Sequence, residues 1–198
     1  MRVGILLLIY LLFSTGCTKT VRNAEAPQFT KADTLMDQLL VLQDSLHHRW
    51  LRVSMYEQLH NDYLKQLFQK AVSLRTLPAH EHIAIDQQII QLQQIQLNPR
   101  NMANPDVIRE HDLARHALTT DIFLLVDLHD LHLKDSGIAH LARQIQGCQD
   151  ATWTLRQTYD SLAHHYNQFL YQHREALVDH DPAAAHLPRP LFGAVFKK

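Results

Sequence analysis

The chain has 198 residues, 19 of them basic and 20 acidic, for a formal net charge of −1. That length holds one domain and an address segment, and so balanced a charge provides no field to gather nucleic acid or an acidic substrate. Only 5 residues are glycine; because glycine costs about 1 kcal/mol per helical position, the composition favours helices.

The first element is an address. Arg2 supplies one positive charge, and Val3 to Phe13 form an apolar run of about eleven residues, where a membrane-spanning helix needs roughly 20. Polar residues follow at once, which is the layout of an export signal. The run ends in Ser14-Thr15-Gly16-Cys17. This stretch resembles the bacterial lipobox, in which a small residue precedes a cysteine that is lipidated and becomes the mature N-terminus. Ser14 stands where leucine is usual. The expectation is a signal peptide over residues 1–16, cut between Gly16 and Cys17, with lipid on Cys17. Several acyl chains, at about 0.8 kcal/mol per buried CH₂, anchor durably where one does not. The chain has two cysteines; a disulfide is the ordinary expectation for an exported protein, but lipid on Cys17 leaves Cys148 a lone thiol. Residues 17–30 lack periodicity, contain Pro27 and read as a flexible tether.

Residues 31–198 are expected to form a helical bundle domain. No proline or glycine interrupts Lys31 to Leu77. Leu35, Leu39, Leu42, Leu46, Trp50, Val53, Tyr56, Tyr63, Leu67, Ala71 and Leu74 recur by threes, fours and one seven, the stripe of a long helix, with Thr30 or Asp33 as its cap. Pro78 separates a second helix, His80 to Leu97, carrying Ile83, Ile85, Ile89, Ile90, Leu92 and Ile95. The segment "NPRNMANPD" breaks the chain again. Asn104 before Pro105 suits the start of a third helix, which the pattern extends to Leu133 with Ile108, Leu113, Leu118, Ile122, Leu125 and Leu128 inward. Asp135 or Ser136 caps the last helix. Its seam is the cleanest: Ile138, Leu141, Ile145, Cys148, Thr152, Leu155, Tyr159, Leu162, Tyr166, Phe169 and His173 step strictly by three and four. Pro182, Pro188 and Pro190 end it, and "PLFGAVFKK" folds back as an apolar tail. The fold class is all-α: an elongated, mostly antiparallel four-helix bundle with two long helices.

Chemistry is sparse. The 15 histidines are the conspicuous excess. His80 and His82 in "HEH", and Asp127, His129, Asp130 and His132 in "DLHDLH", are the densest clusters. On one helix His129 and His132 share a face and present two imidazoles to a metal. Structural sites use tighter sets of four ligands, and there is no HExxH or CxxC. Asp121, Asp127 and Asp130 read as a solvated face, and Cys148 as a small core residue. The basic residues are dispersed, so nucleic acid is not an expected partner, and no nucleophile–base motif points to an enzyme.

Three blocks resemble the LemA family of bacterial envelope proteins. In "HRWLRVSMYEQLHNDYLKQLF", Trp50, Val53, Gln58, Asp62 and Leu67 keep the family's register; "LHNDYLK" replaces its usual Arg-Arg-x-Asp-Leu-Ile-Pro run. "DIFLLVDLHDLHLKDSG" is similar to its leucine-rich segment ending in Leu133-Lys134, without the preceding proline. "LRQTYDSLAHHYN" matches its arginine followed by two Tyr-Asn pairs seven apart, through Arg156, Tyr159, Asp160, Tyr166 and Asn167, with Asp160 in place of the first asparagine. "LFGAVF" is similar to its Gly-Phe tail. The resemblance implies an all-α bundle tied to a membrane by its N-terminus and facing away from the cytoplasm; it implies no reaction and carries over no catalytic residue and no cofactor. Lipid on Cys17 then replaces the family's transmembrane helix. The expected protein is a non-enzymatic envelope lipoprotein whose partners are the lipid membrane and an unidentified envelope protein. In a Gram-negative host Thr18, after the lipidated cysteine, goes with outer-membrane sorting. The alternative is a periplasmic His-rich metal-binding or metal-sensing helical protein using His129 and His132.

Overall fold

A computed structural model describes residues 31–74, 78–180 and 187–193. Every regular element among them is helical. Helix α1 is Lys31–Leu74, α2 Ala79–Gln94, α3 Pro105–Leu128, α4 Leu131–Lys134, α5 Ser136–Gln172 and α6 Arg174–His180; a single 3₁₀ turn, Asn101–Ala103, precedes α3. The all-α expectation and the two long helices, of 44 and 37 residues, are both observed. At 1.5 Å per residue α1 is about 66 Å long. Among the described residues no helix is long and apolar enough to cross a membrane.

Local chemistry sets the boundaries. The Asn104 side chain accepts the Asp106 N–H at 3.0 Å with Pro105 next in line, so α3 starts as its sequence predicts. Asp135 rather than Ser136 caps α5, accepting the Gly137 N–H at 2.6 Å. The same carboxylate pairs with Lys70 at 3.0 Å and ties the end of α1 to the start of α5. A side chain at Gly137 would collide with Lys70, which lies across it. Thr30, a candidate cap for α1, lies outside the described residues.

The third helix is shorter than expected. It ends at Leu128, and Asp130 takes a left-handed conformation with φ 51° that breaks the chain before α4. The second helix also stops early, at Gln94 instead of Leu97. Asn98 then folds the connection by accepting the N–H groups of Arg100 and Asn101, both at 2.9 Å.

Cross-helix contacts fix the directions. On α1 and α5, Trp50 meets Tyr159, Glu57 meets Arg156 and Lys70 meets Asp135, so the two run antiparallel. Phe68 touches His82 across α1 and α2, and Gln88 donates to Asp121 at 2.6 Å across α2 and α3. Residues Leu39 to Val53, Leu155 to Leu177, Met102 and Phe192 build one apolar core; Leu64 to Ala71, Ile85, Leu92, Leu118 to Leu131, Ile138 and Ile145 build another. The last helix buries its predicted seam from Ile138 to Phe169, with Leu141 and Leu162 half-buried. Two predicted inward leucines of α3 point out instead: Leu113 is 62% exposed and Leu128 68%. Ile83 and Ile90 of α2 are also exposed, and Leu74 marks the solvated end of α1.

Candidate functional site

The two apolar cores are separated by a layer of polar side chains. Along α1 the buried stripe passes from Val53 through Glu57 and His60 to Leu64 and Leu67, stepping four, three, four, three. Along α3 it passes from Ile108 through His111 and Arg115 to Leu118 and Ile122, stepping three, four, three, four. Arg156 enters from α5, beside Leu155. Polar residues therefore occupy core positions of three helices at one level. This layer sets the inward phase of α3 and places Leu113 on the outside.

Arg156 is its centre. Its Nη1 and Nη2 donate to Asp112 Oδ2 and Oδ1, both at 2.9 Å, a bidentate fork. Its Nε donates to Glu57 Oε1 at 2.9 Å, and Nη2 reaches the same oxygen. Burial opposes the charge on Arg156, but Glu57 and Asp112 outweigh it and hold the guanidinium firmly protonated. Burial likewise disfavours the Asp112 carboxylate; the His111 hydrogen bond and the two arginines overcome it and hold the carboxyl well below the usual range. Arg115 takes what Arg156 leaves, with Asp112 Oδ1 at 3.4 Å and Glu57 Oε1 at 3.8 Å. Burial, and then the charge of Arg156, lower its pKa. Two cations face two carboxylates, so the layer carries no net charge. Beside it His60 is fully buried, and neither ring nitrogen has a hydrogen-bond partner among the described residues. Burial, followed by the Arg115 charge, lowers its pKa to about 4, so the imidazole is neutral.

A C-terminal segment, residues 187–193, straps along α5 beside the first core and reaches the layer at Arg156. Asn167 Oδ1 accepts the Arg189 N–H at 2.7 Å while its Nδ2 donates to the Arg189 carbonyl at 2.8 Å. One turn pair earlier, Asp160 accepts the N–H groups of Phe192 and Gly193 at 2.8 and 2.7 Å. These bonds deliver Phe192 into the core, where its ring stacks on Trp50 and meets Tyr159 edge-on. Arg156 lies over the same ring, 4.5 Å from its centre. Tyr166 is buried beneath Arg189 and lies 3.5 Å from Gln43. In each tyrosine pair the aromatic residue enters the core and the residue after it holds the strap.

The sequence-predicted residues divide accordingly. Trp50, Val53, Arg156, Tyr159, Tyr166 and Asn167 converge on the layer and strap. Gln58 and Asp62 are exposed and line a polar cleft of about 480 Å³ together with Asn61 and the layer's own Glu57 and His111. Gly16 and Cys17 lie outside the described residues. His129 and His132 do not share a helical face, because α3 ends at Leu128, before both, and the left-handed turn at Asp130 separates them. His132 is 4.0 Å from Asp127, and Lys134 donates to the His129 carbonyl. Among the described residues no group of three or more His, Cys, Asp or Glu side chains is placed to hold a metal ion. Cys148 is a buried free thiol whose pKa burial pushes up.

Glu57, His60, His111, Asp112 and Arg115 were not singled out by sequence. Their signal is a step pattern that stays intact only when polar residues are allowed into it. No protein-family model, curated protein or solved structure matches the chain.

Proposed function

We propose that the protein is a lipid-anchored bacterial envelope lipoprotein whose LemA-like helical bundle serves as a non-catalytic scaffold or protein-interaction module on the extracytoplasmic side. The observation that carries this is Gly16-Cys17 placed directly after an apolar run too short to span a bilayer. The residues that carry the likeness to the LemA family support it, because the bundle depends on them: Trp50, Tyr159 and Tyr166 fill the core, and Asp160 and Asn167 hold the strap. The non-catalytic role is supported by how the ionisable groups are used. Glu57, Asp112 and Arg156 direct their hydrogen bonds at one another. Burial keeps Cys148 in its thiol form, the opposite of what a nucleophile needs.

Cys17→Ala tests the anchor. The variant is expected to lose incorporation of a labelled fatty acid and to accumulate uncleaved or leave the membrane fraction. Labelling and fractionation identical to the wild type would sink the proposal.

A further inference from the structure

Between α3, α5 and the strap lies a cleft of about 440 Å³, within the size range of small-ligand sites. Several of its polar groups are already engaged. Asp112 is held by Arg156, Asp160 by the strap's N–H groups, and the Thr119 hydroxyl donates to the Arg115 carbonyl at 2.7 Å. Others are not. His116, Gln149, Gln157 and Trp153 line the cleft and make no hydrogen bond or ion pair among the described residues. Trp153 is 62% exposed, which is unusual for an indole. Arg115 also lines the cleft, and its carboxylate contacts are the long ones, at 3.4 and 3.8 Å. A guanidinium has five N–H donors, and Arg156 has taken the close geometry on both shared carboxylates. Arg115, with 17% of its side chain exposed, is therefore the under-used cation of the layer.

We infer that this cleft binds a ligand bearing a carboxylate next to an aromatic ring. The carboxylate pairs with Arg115, the ring stacks on Trp153, and His116 with the amides of Gln149 and Gln157 takes the ligand's remaining polar atoms. A planar guanidinium fork matches a carboxylate, and an indole provides a large flat apolar surface for an aromatic partner. A free aromatic acid and a peptide ending in phenylalanine present the same chemistry. The inference stands apart from the membrane anchor: either can fail without the other.

Calorimetric titration of the full-length protein in detergent tests it, using phenylacetate, phenylacetamide, and the peptide N-acetyl-Ala-Phe with a free or amidated C-terminus. Saturable one-site binding of at least one free acid is expected, with its amide weaker by roughly tenfold or more. Tighter binding of the peptide acid assigns the ligand to a chain terminus; tighter binding of phenylacetate assigns it to a free acid. Arg115→Gln should abolish binding. Because that change touches the buried layer, Trp153→Ala and His116→Ala, both at exposed positions, carry the test independently and should each weaken binding several-fold. Absence of saturable binding by both acids, equal affinity for acid and amide, or wild-type affinity in Trp153→Ala would overturn the inference.

Discussion

His60 is an imidazole placed where burial and the Arg115 charge disfavour its charged form. With its pKa moved from 6.5 to about 4, the unfolded chain binds a proton in that interval and the folded chain does not. Stability is therefore fully present above about pH 6.5 and declines as pH falls toward 4, by about 3 kcal/mol if the shift is realised in full. Asp112 adds to the same trend at lower pH, because its depressed pKa contributes stability above 3.8 that is lost on further acidification. Urea midpoints should fall between about pH 7 and pH 5, and His60→Leu should flatten that slope. An unchanged slope in the variant would show that His60 is not the titrating group. Arg156 acts by a different mechanism. Its removal leaves the buried Glu57 and the half-buried Asp112 with only the longer contacts of Arg115, and breaking a buried pair typically costs about 3–5 kcal/mol. Arg156→Met should lower stability by that order, and chemical denaturation measures it. Replacing Arg156, Arg115, Glu57 and Asp112 together with apolar residues should cost much less than the single change, because no charge of the layer is then stranded.

At the scale of elements, the long helices were legible because their periodicity is long and uninterrupted. Asn104-Pro105 and Asp135 were legible because caps have strong local chemistry. The polar layer was not. A stripe built only from apolar residues skips from Tyr56 to Tyr63, whereas the true one runs through Glu57 and His60. In α3 the same bias selects Leu113 over His111 and Arg115. Hydrophobic pattern cannot reveal that a charge will be buried, because burial is tolerable only when partners on other helices arrive at the same level. The end of α3 was missed for a related reason: Asp130 leaves the helical region through a left-handed turn that the run of leucines around it conceals. The strap makes a testable element. The Arg189, Phe192 and Gly193 amides are bonded to side chains and should be slow to exchange with deuterium. Asn167→Ala should release the first and Asp160→Ala the other two, each change costing about 1–2 kcal/mol. Wild-type exchange at all three in both variants would contradict the clamp.

At the scale of the whole described structure, a polar layer sits between two apolar cores, and a strap of residues 187–193 reaches it at Arg156. Apolar seams of three- and four-residue steps can slide by a heptad at modest cost, but Arg156 meets Glu57 and Asp112 in only one register. The layer therefore favours the observed register of α1, α3 and α5. Such a bundle presents length and surface, which suits a scaffold held at a membrane by lipid. The most direct measurement is the mass of the N-terminal peptide from protein isolated out of bacterial membranes. The account predicts a peptide beginning at Cys17, lacking residues 1–16 and carrying a thioether-linked diacylglycerol. An N-terminus at any other residue, or an unmodified Cys17, would contradict it.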